Sequence, residues 1–232
     1  MTQTVLGTPL FGLGLTLLAG ILGLYIKAKS GWKLFNPMLF GMLLIISVLF
    51  FFNIPYADYQ AGGDLILKLL GPITVVLAVP LYQHHDKLRR HAFAILLGVA
   101  IGSLSALLSV WLFAWAAGLD LTLIKSLLPR SITTPIGIAA SEMLDGLVGL
   151  TVLSIVITGT FGAIAADRLF KMFGITDPVA RGVALGTSAH AIGTGKAFEY
   201  GQLEGAMSGL SIAIAGVSTI LWLLLFQLSG VI

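Results

Sequence analysis

The chain has 232 residues, of which 57% are hydrophobic and only 10% are charged. Soluble domains carry about 25% charged residues, so this chain lacks most of the charge that a water-facing surface needs. This composition excludes a soluble enzyme, a nucleic-acid-binding domain and a disordered tail, since thirteen Lys and Arg residues cannot form a phosphate-tracking stripe. The absence of cysteine excludes disulfides, thiolate metal sites and cysteine nucleophiles. We therefore expect an all-α polytopic membrane protein, with residues 1–232 forming one integral membrane domain.

Five uncharged apolar stretches are long enough to cross a bilayer, because a spanning helix needs about 20 mostly apolar residues. The first of them has no basic segment before it, which favours a retained span over a signal peptide. The five stretches are residues 5–26, 34–52, 92–119, 147–166 and 205–232.

Three further apolar stretches are interrupted by proline or by a glycine cluster: residues 65–82, 127–144 and 178–198. Broken backbone at membrane depth is tolerated only where it is buried in protein or lines a cavity. We therefore predict about six to eight membrane segments, some of them broken or re-entrant. Residues 69–74 also resemble residues 127–133 with one insertion, which indicates either an internal repeat or a coincidence.

Basic residues in short loops predict the orientation, because such residues favour the cytoplasm. Eight of the thirteen lie in three clusters, at 27–33, 87–90 and 168–171, whereas Lys68 and Lys125 lie on the other face. This places the N-terminus outside the cytoplasm. Residues 127–144 should then enter and leave from the outside, and residues 178–198 should dip in from the cytoplasm. Opposed broken segments are typical of transporters, although kinked helices that cross completely are the alternative.

The first candidate half-site surrounds the start of a half-helix in residues 127–144. Pro135 suits the first turn of a helix and Thr134 suits its N-cap position, so the first N–H groups and the positive end of the dipole face outwards. Arginine and hydroxyl donors at such a helix end suit a carboxylate, because arginine offers a bidentate fork. The alternative is a capped kink whose arginine extends to the outer interface. The donors are Arg130, Ser131, Thr133 and Thr134.

The second candidate half-site lies in residues 178–198. Asp177 as N-cap and Pro178 in the first turn open a helix, and the two glycines within residues 190–195 should break it. His190 titrates near neutrality, so it is a candidate for carrying a proton or for donating to an anion, and a buried structural histidine is the alternative. The residues predicted to complete the carboxylate site are Arg181, Ser188, His190 and Thr194, and the proton-coupling candidates are Glu142, His190 and Glu199.

Enzymatic chemistry is not expected. Ser188 lies two residues from His190, but nothing nearby supplies an oxyanion hole for an intramembrane serine protease. The histidines of residues 84–91 are more typical of a solvated turn than of a metal site. We expect no cofactor and no metal ion.

The sequence resembles the LrgB family, also called the CidB/LrgB or antiholin-like family, over nearly its whole length. The family usually has lysine at the position of Arg130, which keeps the positive charge. It usually has His-Gly-Ile-Gly-Thr-Ala at residues 190–195, where this chain has His-Ala-Ile-Gly-Thr-Gly, so one of the two glycines stands at a different position. The matching motifs are residues 35–37, 70–74, 78–82, 128–136, 177–182, His190, 193–194 and 204–210.

The resemblance implies an inner-membrane protein with a smaller LrgA/CidA-like partner, and we also expect a homo-oligomer. Bacterial members are described as modulators of murein hydrolase export, by analogy with holins and antiholins. Chloroplast relatives are glycolate/glycerate translocators, and bacterial relatives are linked to pyruvate movement. Charged residues in broken helices suit a carboxylate carrier better than a holin, which needs only apolar helices that associate. We therefore expect a secondary transporter of small monocarboxylates, with a proton as candidate coupling ion and an antiholin-like protein as the alternative.

Overall fold

The computed structural model describes residues 8–31, 35, 37–69, 72, 79, 82–83 and 85–232. All regular secondary structure in these residues is helical, without a β-strand. The all-α prediction is confirmed. The 3₁₀ helix Leu128–Ser131 lies between α5 and α6. The nine described α-helices are α1 (Pro9–Ser30), α2 (Pro37–Phe51), α3 (Tyr56–Lys68), α4 (His85–Ala116), α5 (Leu121–Leu127), α6 (Thr134–Met143), α7 (Val148–Met172), α8 (Pro178–Tyr200) and α9 (Gln202–Leu228).

The five predicted uninterrupted spans coincide with α1, α2, α4, α7 and α9. Among the described helices, α1, α4 from Arg89 onwards, α7 and α9 are long and apolar enough to cross a membrane. Helix α2 is apolar but has 15 residues, a length of roughly 22 Å against the ~30 Å of a hydrocarbon core. The predicted broken segment at 65–82 and the candidate repeat at 69–74 lie mostly outside the described residues.

Residues 1–76 form a compact unit in which α1 packs against both α2 and α3. Gly12 of α1 and Gly62 of α3 allow the two backbones to touch, because a Cβ at either position would collide with the other helix. The hydroxyls of Thr16 and Tyr59 lie 3.0 Å apart across the same contact. Helix α3 covers the start of the predicted broken segment 65–82 and the residues before it.

Residues 77–232 form a second compact unit, in which α8 packs against α9, α7 and α4. Gly182 and Gly186 lie one turn apart on α8, where a Cβ would collide with the backbone of α9 at Glu204 and Ser208. Small residues at four-residue spacing allow helices to approach closely in this way. The main apolar cluster is formed by Leu107, Val110, Ala114, Ile124, Leu128, Ile132, Ala140, Leu144 and Leu223.

Helix α8 is a re-entrant hairpin, called hairpin 2 below. His190 interrupts it with φ 41° and ψ −130°. The second half folds back on the first, since a Cβ on Gly193 would collide with the carbonyl oxygen of Leu185. Arg181 near the start and Tyr200 at the end are neighbours, with the guanidinium carbon 5.7 Å from the ring centroid. The segment therefore enters and leaves the unit at the C-terminal end of α7, and it does not cross as a kinked helix.

Residues 121–143, called hairpin 1 below, form the second re-entrant element, from α5, the 3₁₀ helix and α6. Its two arms meet at the start of α7, where Leu147 N donates to Ser126 Oγ over 2.7 Å. Thr151 Oγ1 lies 2.7 Å from both Ser126 O and Ser141 Oγ, and so connects the two arms. Hairpin 1 thus starts and ends at the N-terminal end of α7, opposite to hairpin 2.

Candidate functional site

The tips of the two hairpins meet beside the middle of α7. Arg130 Nη1 of hairpin 1 donates to Thr158 Oγ1 over 3.4 Å. His190 Nε2 of hairpin 2 lies 3.2 Å from Ile155 O, and a Cβ on Gly159 would lie 2.7 Å from His190 Cε1. These α7 residues are near the middle of a 25-residue helix. Two breaks that approach from opposite ends of a spanning helix and meet at its middle are the arrangement of midplane transporter sites.

Arg130 is a partly buried cation without a carboxylate partner in the part of the chain that the structure describes. Every ion pair found there within 4 Å joins other side chains. The bond to Thr158 is long, and the buried Nε has no hydrogen-bond partner. An uncompensated charge at membrane depth costs at least ~2.5 kcal/mol, so this position favours an anion that supplies the missing charge.

The start of α6 adds further positive potential beside Arg130. Thr133 is the N-cap and its side chain makes no capping hydrogen bond, and Pro135 is the second helical residue. The sequence analysis placed the N-cap at Thr134, and the helix begins one residue earlier, since proline is tolerated in either of the first two positions. The first amide groups of α6 therefore have no side-chain cap, and the positive end of its dipole lies at the tip of hairpin 1.

A cavity of about 1150 Å³ reaches the hairpin tips from the C-terminal end of α7. Its walls come from α4, α7 and the first half of hairpin 2, and most of the side chains are apolar. Arg130, Ser131 and Thr158 line it at the tips, whereas Asp177 and Phe173 line it near the end of α7. The cavity gives a small solute a path to the uncompensated cation.

The structure brings some of the predicted site residues to this cavity and leaves others away from it. Ser131 and Ser188 line it, although the Ser188 hydroxyl donates to Ala184 O over 2.7 Å and makes no bond to His190. Thr194 lies behind the tip, where its hydroxyl lies 2.8 Å from Ser208 Oγ and 3.1 Å from His190 O. Thr133 and Thr134 lie at the start of α6 but do not line the cavity.

Three predicted residues lie away from the tips. Arg181 is at the base of hairpin 2, where Nε donates to Ile175 O over 2.8 Å. Glu142 is exposed at the end of hairpin 1, and Glu199 is exposed at the end of hairpin 2. Of the proton-coupling candidates, His190 is the one at the tips, with a relative exposure of 3%.

A polar cluster that the sequence analysis missed holds the base of hairpin 2 to α7. Lys196 Nζ lies 3.1 Å from Asp167 Oδ2 and 3.0 Å from Glu199 Oε2, and Tyr200 donates a hydrogen bond to Asp167. Lys196 and Tyr200 lie outside the four candidate spans. Burial lowers the pKa of Lys196, but the hydrogen bonds and charges of Glu199 and Asp167 outweigh that effect and raise it. Burial and the bond to Asp167 raise the pKa of Tyr200, so the phenol stays protonated and keeps donating.

Comparison with known proteins gives consistent matches along the chain. A family model described as "LrgB-like family" matches residues 16–228. "Uncharacterized protein YwbG" of Bacillus subtilis (strain 168) is 38% identical over 201 residues, which is 84% of this chain and 89% of that protein. Proteins named "Antiholin-like protein LrgB" from Bacillus mycoides (strain KBAB4) and Bacillus cereus (strain B4264) are 34% identical over 221 residues, 95% of this chain and 96% of each relative. No solved structure matches.

Proposed function

The chain belongs to the LrgB-like family of multi-pass membrane proteins, and we propose that it is a secondary carrier of small monocarboxylates of the glycolate, glycerate and pyruvate type. The observation that carries the proposal is the uncompensated Arg130 at the meeting point of two opposed hairpins, at the end of a large cavity. A carboxylate supplies one negative charge and two acceptor oxygens, which match the fork of a guanidinium.

In this proposal the carboxylate binds to Arg130 and Ser131 in front of the start of α6. Thr133 and Thr134 shape that helix start, Ser188 forms part of the cavity wall, and Thr194 supports the tip of hairpin 2 through Ser208. His190 is the candidate for a coupling proton, because it is the titratable side chain next to the site. Arg181, Glu142 and Glu199 are left out of the site, since they lie at the bases of the hairpins.

The remaining expectations about surroundings are part of the same proposal. We place the protein in a bacterial inner membrane with a periplasmic N-terminus, as the basic clusters favour. The family resemblance supports a smaller LrgA/CidA-like membrane partner and association of several copies of the chain.

A second candidate is an antiholin-like protein that modulates murein hydrolase export. The names of the relatives favour this role, and they support it more directly than they support a carrier. This role requires no small-molecule site, so it gives no reason for a midplane arginine without a carboxylate partner.

Uptake of labelled glycolate and pyruvate into proteoliposomes of the purified protein tests the carrier. We expect uptake to fall about 10- to 100-fold in Arg130→Gln, because a charge-assisted hydrogen bond contributes about 1.5–3 kcal/mol. Arg130→Lys, which keeps the charge but not the fork, should retain part of the activity. No uptake by the folded wild-type protein, or equal uptake by Arg130→Gln, contradicts the proposal. Leakage of a neutral dye favours a pore of the holin kind.

A further inference from the structure

A second cavity, of about 300 Å³, lies at the base of hairpin 2. It shares Phe170 and Ile175 with the wall of the larger cavity, but its charged residues do not line that cavity. Its walls are the last turns of α7, the loop that leads to α8, and the two ends of hairpin 2. The side chains that bring charge or aromatic surface to it are Asp167, Phe170, Lys171, Arg181 and Tyr200.

Arg181 is held in a fixed position at this cavity. Its Nε donates to Ile175 O over 2.8 Å, and its guanidinium carbon lies 5.8 Å from the Phe170 ring centroid and 5.7 Å from that of Tyr200. Within the described part of the chain no carboxylate forms an ion pair with it. The two rings also pack against each other, with centroids 5.9 Å apart, so the guanidinium lies against both. A guanidinium held in this way loses little freedom on binding, so its two terminal nitrogens are preorganised for an anion with several oxygens.

The cavity keeps a positive charge although it contains an acidic residue. Asp167 is already engaged, since Lys196 and Tyr200 both bind its carboxylate. Lys196 also pairs with Glu199, so these charges largely compensate one another. Arg181 and the exposed Lys171 are the two remaining cations on the cavity wall, and together they favour an anion.

The position of the cavity along α7 indicates where such an anion comes from. Helix α7 is apolar until Asp167 and ends at Met172, so Arg168 and Lys171 mark the level at which the span leaves the hydrocarbon. Basic pockets between helices at this level bind the headgroups of anionic lipids.

We propose that this cavity binds a phosphate group, held by Arg181 and Lys171, and that the phosphate belongs to an anionic membrane lipid. The site is independent of the carboxylate site at the hairpin tips. A phosphate bound there links α7 to both ends of hairpin 2 and so stabilises the packing of that hairpin on α7.

Native mass spectrometry of the purified full-length protein with phosphatidylglycerol or phosphatidylcholine tests the proposal. We expect wild-type protein to retain phosphatidylglycerol about ten-fold better, and Lys171→Gln to reduce that preference about five-fold. Arg168→Gln is the matched control, since it removes the same charge one turn away and does not line the cavity. Arg181→Gln should abolish the preference. Should this variant fail to fold, Lys171→Gln carries the test, because Lys171 is exposed.

Competition experiments identify the source of the phosphate. Retention that survives millimolar inorganic phosphate supports a lipid ligand, and displacement by inorganic phosphate supports a free phosphate ligand in the same site. Equal retention of the two lipids, or equal effects of Lys171→Gln and Arg168→Gln, overturns the site. Displacement by glycolate but not by inorganic phosphate also overturns it, because the cavity then takes carboxylates.

Discussion

The two hairpins use charge in opposite ways. Hairpin 1 carries one of its two cations, Arg130, at the tip without an ion-pair partner in the described residues, and its acidic residue Glu142 is exposed at the base. Hairpin 2 carries its cations at the base, where Lys196 is paired with two carboxylates and Arg181 lies against two aromatic rings. The paired charge of Lys196 therefore stabilises the position of hairpin 2 on α7, whereas the tip charge of hairpin 1 is available to a ligand at the hairpin tips.

The difference also has a consequence for stability. An uncompensated charge at membrane depth costs at least ~2.5 kcal/mol, whereas a paired charge near the surface contributes about 0–1 kcal/mol. Removing the tip charge should thus lower the transport activity without lowering the stability. Removing base charges should lower the stability more than the activity. The following changes test this contrast.

The largest effect is expected from adding a methyl group inside the bend of hairpin 2. In Gly193→Ala the new methyl group meets the Leu185 backbone and the Ala189 side chain, so the two halves must separate. Overpacking of this kind costs about 1–3 kcal/mol, and thermal unfolding in detergent should show it. Gly195→Ala is the control, since its Cβ meets nothing within 4 Å and alanine favours a helix. If both variants have the same stability, the hairpin is not closed as described.

The second-largest effect is expected from removing a charge, and it should differ between the tip of hairpin 1 and the base of hairpin 2. Arg130→Met should abolish most glycolate uptake and leave the unfolding temperature unchanged or raised, since no carboxylate in the described part of the chain compensates this charge. Lys196→Met should lower the unfolding temperature, because Asp167 and Glu199 lose their shared partner. Its uptake should fall less than that of Arg130→Met. Loss of stability in Arg130→Met would show that an unseen partner compensates the arginine.

The elements that the sequence predicted well are those that depend on local signals. Long apolar runs gave α1, α4, α7 and α9, and Asp177 with Pro178 marked the start of α8, where the Asp177 carboxylate accepts from Ala180 N. The charge of Arg130 in an apolar stretch marked the tip of hairpin 1. The break in α8 was predicted within residues 190–195, and it lies at the first of them, His190.

The contacts that the sequence did not predict join residues far apart in the chain. Thr158 lies in an uncharged run, and nothing local shows that it faces Arg130, 28 residues earlier. Asp167 was not among the predicted site residues, and its partner Tyr200 lies 33 residues later in the chain. Arg181 was assigned to the carboxylate site because of its charge, and only the folding back of α8 places it beside Tyr200.

A smaller effect is expected from Thr158, the hydrogen-bond partner of Arg130. Thr158→Val keeps the shape of the side chain but removes an acceptor, and a hydrogen bond of this kind contributes about 0.5–1.5 kcal/mol. We expect the KM for glycolate to rise a few-fold while the unfolding temperature changes little. Thr160→Val is the control on the same helix, because Thr160 makes no hydrogen bond to Arg130. Equal KM changes in both variants would argue against a positioning role for Thr158.

The smallest effect is expected at the base of hairpin 2 and depends on pH. The pKa of Tyr200 is raised in the folded protein, so its contribution to stability is present below its ordinary value of 10.0 and is lost as pH rises above it. The difference in unfolding temperature between wild type and Tyr200→Phe should therefore be constant from pH 7 to 9 and shrink above pH 10. Glycolate uptake at neutral pH should change little, since Tyr200 lies at the base and Arg130 at the tip. A constant difference up to pH 11 would mean that burial and Asp167 do not keep this phenol protonated.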